Sequence, residues 1–300
     1  MFQVVSKNET MPLNGVTFTI YGDAGLGKTT LANTASNPIV IDFDNGYHRS
    51  AFRQNFIPVK SWRDIAYHQD EFFAVMNQYD TIIIDTVGAM LDYVDFMLIE
   101  NNPSLATKTM LKFGELKKAF SEFHRKLMML GKDVIFIAHA KEKEENEQRI
   151  LRMSITGSSY DLVVQKSDMV GYMSVINGKP TIDFDATEKK IGKNCAKIPQ
   201  TIIPELHELD GFMAGLIQRT KNALQQHTAE QDASIQRINE FIAEGLKAVN
   251  IESLNAYIDV IGSAGLSKSE KLQVWNAVKK HGDSLGYVYN TKSKAFEVAS

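Results

Sequence analysis

Residues 16–32, VTFTIYGDAGLGKTTLA, restrict what this chain can fold into more than any other part of it. An apolar, β-branched run leads into a glycine-rich loop, and a helix-compatible LANTA follows. Gly22, Gly27, Lys28 and Thr29 satisfy the spacing G-x-x-x-x-G-K-[ST]. Glycines let the backbone curl until successive N–H groups point at one anion. The candidate phosphate cradle is Gly22, Asp23, Ala24, Gly25, Leu26, Gly27, Lys28, Thr29 and Thr30. Lys28 is expected to reach the outer phosphates, and Thr29 to put its hydroxyl on Mg²⁺. The positive N-terminal end of the following helix is expected to help.

Composition narrows the classes. The chain has 300 residues with 44% apolar content, enough for one large core or a core and a small appended domain. No apolar run is long enough to span a bilayer, so no membrane association is expected. MFQVVSKNET lacks the basic and apolar regions of a secretory signal. Cys195 is the single cysteine, which rules out an internal disulfide and a cysteine-rich zinc site and points to the cytoplasm. A formal net charge of −3 means that any grip on nucleic acid must use local patches or an assembly.

Along the chain, residues 1–15 read as a lead-in. IVIDFD (39–44) reads as a strand parallel to the first, closing a βαβ unit, with Asp42 and Asp44 on one face. QNFIPV (54–59) reads as an edge strand, because Pro58 cannot donate. A helix from Ser61 carries Ile65, Phe72, Phe73 and Met76 on its apolar side. TIIID (81–85) is a buried-type strand that delivers Asp85 either to the metal or to a helix cap. Helices are expected over 87–100 and 105–130, the second packing through Leu111, Leu116, Phe120, Phe123, Leu127 and Leu130. VIFIAH (134–139) is another buried-type strand, ending at His139, which either is satisfied locally or contacts the γ-phosphate or its water.

KEKEENEQRILR (141–152) reads as exposed, TGSS (156–159) as a turn, and 169–184 as a hairpin turning at Asn177-Gly178. EKKIGKNCAK (188–197) is the most basic short stretch before residue 220. The predicted organisation is a core over 1–219, a linker over 220–232, and a small helical domain with a terminal hairpin over 233–300. The last long helix is expected to bury Leu272, Trp275, Val278 and Leu285. Its lysines and Tyr287, Tyr289 and Phe296 suit either a plain helical core or contacts to single strands.

The motifs YGDAGLGKTT, IVIDFDNG, TIIIDTVGAM and VIFIAHA, in this order, resemble the RecA-like P-loop ATPases, and within them the small phage-encoded annealing and recombination ATPases. The resemblance covers residues 14–205 and implies an α/β fold. Its core would be a mostly parallel central sheet flanked by helices, joined to a small, mainly helical C-terminal domain. It implies ATP and Mg²⁺ as cofactors, with Thr29 and Asp85 at the metal. It places Asp44 where the water-activating acid stands in such enzymes, usually as Glu, so Asp42 or a bridging water would share that role. His139 falls at the γ-phosphate-sensing position. KIGKNCAK is similar to the lysine-bearing strand that enters a neighbouring subunit's site, which would make Lys193, with Lys190 second, act in trans. The implied strand order puts VIFIAHA between the phosphate-loop strand and TIIID.

Function then divides. The first reading is an ATP-hydrolysing protein of DNA recombination or single-strand annealing, binding single-stranded DNA as a homo-oligomeric ring or filament in the host cytoplasm. The second is a slow ATP-dependent switch working through a partner such as a single-strand-binding protein. A small-molecule kinase would need an arginine-bearing lid, and only Arg149 and Arg152 are near one.

Overall fold

The computed structural model describes residues 15–145, 148–155 and 159–298. Residues 1–14 of the expected 1–15 lead-in and most of the 156–159 turn lie outside them. The elements are β1 (Thr17–Gly22), α1 (Lys28–Ala32), β2 (Pro38–Asp42), β3 (Asn55–Pro58), α2 (Trp62–Ala66), α3 (Gln69–Met76), β4 (Thr81–Asp85), α4 (Val87–Asn101), α5 (Thr109–Met129), β5 (Asp133–Glu145) and β6 (Gln148–Met153). Then come α6 (Ser159–Lys166), β7 (Met169–Ile176), β8 (Lys179–Asp183), β9 (Lys193–Asn194), β10 (Thr201–Ile202), α7 (Phe212–Gly245), α8 (Ile251–Ser263), α9 (Lys268–Ser284), β11 (Tyr287–Asn290) and β12 (Ala295–Val298).

The main sheet runs β10-β8-β7-β1-β5-β4-β2-β3. From β7 to β3 every neighbouring pair is parallel, and β8 and β10 add an antiparallel margin. β5 lies between β1 and β4, as the motif order implies. Strands covered on both faces need apolar side chains on both, which is why β1, β2 and β4 are buried throughout. Alternation divides them: Ile82, Ile84, Val134 and Phe136 pack with α2 to α6. Ile83, Ile135, Ile137, Phe18 and Ile20 pack with α1 and the start of α7. β3 is the outer strand, as Pro58 requires.

Three expectations within the first 150 residues need correcting. The helix from Ser61 is two helices, the first opened by a capping box between Ser61 and Asp64. Leu111 is exposed in the first turn of α5, whereas Leu116, Phe120, Phe123 and Leu127 are buried. β5 does not stop at His139 but continues to Glu145, paired antiparallel with β6. Alternating lysine and glutamate suits a two-stranded ribbon, so the charged stretch that reads as exposed is strand as well.

The chain divides into two compact units, one ending at Leu224 and the other beginning at Gln225. Residues 220–232 are helical within α7, not an extended linker. The second unit has its own core of Ile238, Leu254, Tyr257, Ile261, Val274, Val278 and Phe296. Here α9 buries Val274, Val278 and Gly282, while Leu272 and Leu285 are exposed. The terminal hairpin turns the helix this way, because Phe296 packs on the bare Cα of Gly282. Trp275, Tyr289 and Phe296 form one ring cluster, with Phe296 buried in the core.

Candidate functional site

The phosphate loop joins β1 to α1 at the C-terminal edge of the parallel strands, where open α/β sheets hold ligands. Its conformation depends on glycine three times, and Gly25 lies in the left-handed region with φ of 81°. Gly27 precedes α1 with φ of 80°, in the left-handed region. A Cβ on Gly22 would lie 2.6 Å from the backbone oxygen of Met173 in the adjoining β7. The helix that follows has only five residues.

Lys28 is buried, and its Nζ donates to the carbonyls of Gly22 at 3.0 Å and Asp23 at 2.7 Å. Burial holds its ammonium below the usual lysine range, against the opposing pull of Asp85, Asp23 and Asp44. Thr29 Oγ1 donates to Asp85 Oδ2 at 2.6 Å, joining the loop to the end of β4. Burial pushes the Asp85 carboxyl above the ordinary carboxylate range. The Thr29 bond and Lys28 oppose that shift, while Asp42 and Asp44 add to it. The adjoining Thr86, not Asp85, caps α4 by accepting from the Ala89 amide.

A cavity of about 640 Å³, within the range of small-molecule sites, opens over the loop. It is lined by Ala24, Gly25, Gly27, Lys28, Thr29 and Thr30, and facing them are Asp44, Asp85 and His139. His139 Nε2 lies 3.7 Å from Asp44 Oδ2. Asp42 is committed elsewhere. Its buried carboxylate accepts from the amides of Gly46 at 3.3 Å and Tyr47 at 3.1 Å, fixing the turn after β2.

Lys193 is not brought to this cavity. Its Nζ donates to the Ser167 carbonyl at 2.5 Å, on β9 beside β7. Lys190 pairs with Asp183 at 2.9 Å.

Sequence reasoning missed Gly46, Ser50 and Ala51, which also line the cavity. Asn45-Gly46 marks a turn there but not the return of the chain toward α1. That return is held by Asn33 Nδ2, which donates to Ser50 Oγ at 3.2 Å and to the Phe52 carbonyl at 2.6 Å.

A family model described as an AAA domain matches residues 14–196, more than half of the chain. The chain belongs to this AAA domain family. It is similar to the SPbeta prophage-derived uncharacterized protein YorG of Bacillus subtilis (strain 168), with 28% identity over 86% of this chain and 81% of that protein. Two solved structures are also similar. The KaiC-like protein PH0186 of Pyrococcus horikoshii OT3 has 10% identity and a TM-score of 0.35, covering 56% of this chain and 77% of that one. The flagellar accessory protein FlaH of Methanocaldococcus jannaschii has 14% identity and a TM-score of 0.31, covering 56% and 76%. Strand order and phosphate loop together match the arrangement that the RecA-like resemblance implies. Among the described residues, no helix is long and apolar enough to cross a membrane.

Proposed function

We propose that the chain binds Mg²⁺-ATP in this cavity, hydrolyses it, and uses it to control binding of single-stranded DNA during recombination or annealing. The observation that carries the nucleotide reading is the Thr29–Asp85 contact beside the buried Lys28 ammonium. A hydroxyl, a carboxylate and a cation at one glycine-rich turn match the donor set that a metal-bound polyphosphate requires. The loop amides and Lys28 would hold the phosphates, and Thr29 and Asp85 the metal. When bound, Mg²⁺-ATP supplies an activated terminal phosphoryl group and a metal that neutralises its charge. Asp44 would take the proton of an attacking water, and His139, beside it, would orient that water or contact the terminal phosphate.

The β5–β6 ribbon supports the DNA reading. It leaves the sheet just beyond His139. Its composition is mixed, but the pleat sorts the charges. Lys141 pairs across the ribbon with Arg152, and Lys143 with Ile150, so three cations share one face. Glu142 and Glu144 take the other, where Glu142 lies 3.5 Å from Arg149. Arg152 is stacked on the Tyr160 ring, but Lys141 and Lys143 are exposed, so a chain with net charge −3 can thereby offer a local pair of cations to a phosphate backbone. The prophage origin of the YorG relative fits a phage protein acting in a host cytoplasm. Lys193 lies outside its own chain's cavity, so a catalytic role for it requires a neighbouring copy in a homo-oligomeric ring or filament.

The test is ATP turnover by the intact chain with and without single-stranded DNA. Stimulation by DNA, lost when Lys141 and Lys143 are both changed to Glu, supports the reading. Absence of both stimulation and DNA binding at low salt refutes it.

One observation favours the slow switch acting through a protein partner such as a single-strand-binding protein. Asp44 is shorter than the usual Glu and faces His139 across 3.7 Å. Activity surviving Asp44→Ala but not Lys28→Ala would select it.

A further inference from the structure

The second unit carries a groove that the nucleotide reading does not use. α8 and α9 form its sides, and Ile258 and Ile261 line its α8 side. Leu272 and Trp275 stand on the α9 side, and Tyr289 of the terminal hairpin closes one end. The volume is about 420 Å³, room for one or two large apolar side chains. Leu272 sits where helical periodicity calls for a core residue, yet it is 58% exposed. Trp275 is half-buried, held edge-on against Tyr289 with ring centres 4.5 Å apart. A tryptophan locked by its neighbours contributes contact area at little further entropy cost, which is how interface anchors work.

The rim is cationic. Lys268 and Lys271 flank the opening, and no described residue lining the groove is acidic. The nearby Glu270 stays anionic but is tied into the helix cap: its carboxylate accepts from the Ser234 hydroxyl at 2.7 Å and the Ser267 amide at 2.7 Å. Those hydrogen bonds hold the Glu270 carboxyl well below the usual range, at about 2, so it keeps its charge, and with Lys268 and Lys271 the local balance is still positive. Lys271 Nζ donates to the Gly262 carbonyl at 2.6 Å, which fixes one cation at the end of α8.

We propose that this groove docks an acidic peptide segment of a partner protein, with one aromatic or aliphatic side chain inserted between Leu272 and Trp275 and carboxylates over Lys268 and Lys271. Charge complementarity selects that occupant. A nucleic acid would need cations spaced along a track, whereas this rim has two beside a shallow, open apolar groove sized for side chains.

The experiment uses the full chain and a fluorescein-labelled oligo-aspartate peptide ending in Leu-Phe, read by anisotropy. Saturable binding is expected. It should weaken about tenfold when the peptide ends in Ser-Ser, or when its aspartates become asparagines. Lys268→Glu and Leu272→Ser should each weaken it about tenfold while the melting temperature holds, since both residues are exposed. Undiminished binding to both variants, or no binding to the wild type, overturns the proposal. So does displacement by oligothymidylate, which would assign the groove to nucleic acid. A change in sedimentation caused by the same variants would assign it to a second copy and also overturn it.

Discussion

Asp85→Asn separates the two demands on the site. In the free protein the ionised Asp85 carboxylate is a burden: burial is the largest influence on it, and Asp42 and Asp44 add repulsion. Burying an ion costs several kcal/mol before compensation. The Thr29 hydroxyl bond, worth roughly 1.5–3 kcal/mol to a charged acceptor, returns part of that. The net shift of the carboxyl is upward, so the ionised form remains destabilising. Asparagine keeps an oxygen for Thr29 and removes the charge. The free variant should therefore gain on the order of 1 kcal/mol, or about 2–4 °C in melting temperature.

The sign fixes the pH dependence. A carboxyl raised in the folded state costs nothing below the ordinary carboxylate range. Its cost grows as pH rises through that range and is complete above the raised value. The variant's advantage should thus appear only toward neutral pH. Saturation with Mg²⁺-ATP at a hundredfold excess over Kd adds about 2.7 kcal/mol to the wild type, or about 5–11 °C. The variant should lose most of that increment. Scanning fluorimetry across pH, with and without Mg²⁺-ATP, reads both effects. A free variant that melts lower than wild type yet keeps its full nucleotide shift would refute the reasoning, because Asp85 would then be a structural residue.

Other outcomes follow from the same contacts. Gly22→Ala sets a Cβ against the Met173 carbonyl and should cost about 1–3 kcal/mol in thermal unfolding, with weaker nucleotide binding. Asp44→Asn should slow turnover at saturating ATP while leaving the nucleotide Kd within about twofold, since the metal and phosphates would be held by other residues. His124 is buried beside Thr17, and burial, reinforced by Lys166, pulls its imidazole down to about 4. The unfolded chain binds the extra proton between about pH 6.5 and 4, so stability should fall by roughly 3 kcal/mol on acidification through that window. His124→Gln should flatten that part of the stability profile, measured by urea unfolding at each pH.

The parallel sheet was legible because its strands are apolar on both faces and end in polar residues that face the cavity. TIIID and VIFIAH announce both burial and Asp85 and His139. The phosphate loop was legible because its backbone path leaves few residue choices. What escaped was non-local. Alternation puts Asp42 and Asp44 on one strand face, but β2 ends at Asp42, and only the fold of residues 45–52 shows that Asp42 is committed to backbone amides. The β5–β6 ribbon escaped because a neutral, charged sequence carries no apolar alternation, although pairing sorts its charges by face. Leu272 and Leu285 fit helical periodicity, but the hairpin's Phe296 settles which face of α9 is covered.

The most direct test of the nucleotide site is calorimetric titration of ATP into the intact chain, with Mg²⁺ and with EDTA. Saturable heat with one nucleotide per chain is expected, weaker without Mg²⁺, absent in Lys28→Ala and greatly reduced in Asp85→Asn. No heat with the wild type, or equal affinity in both variants, would contradict the account.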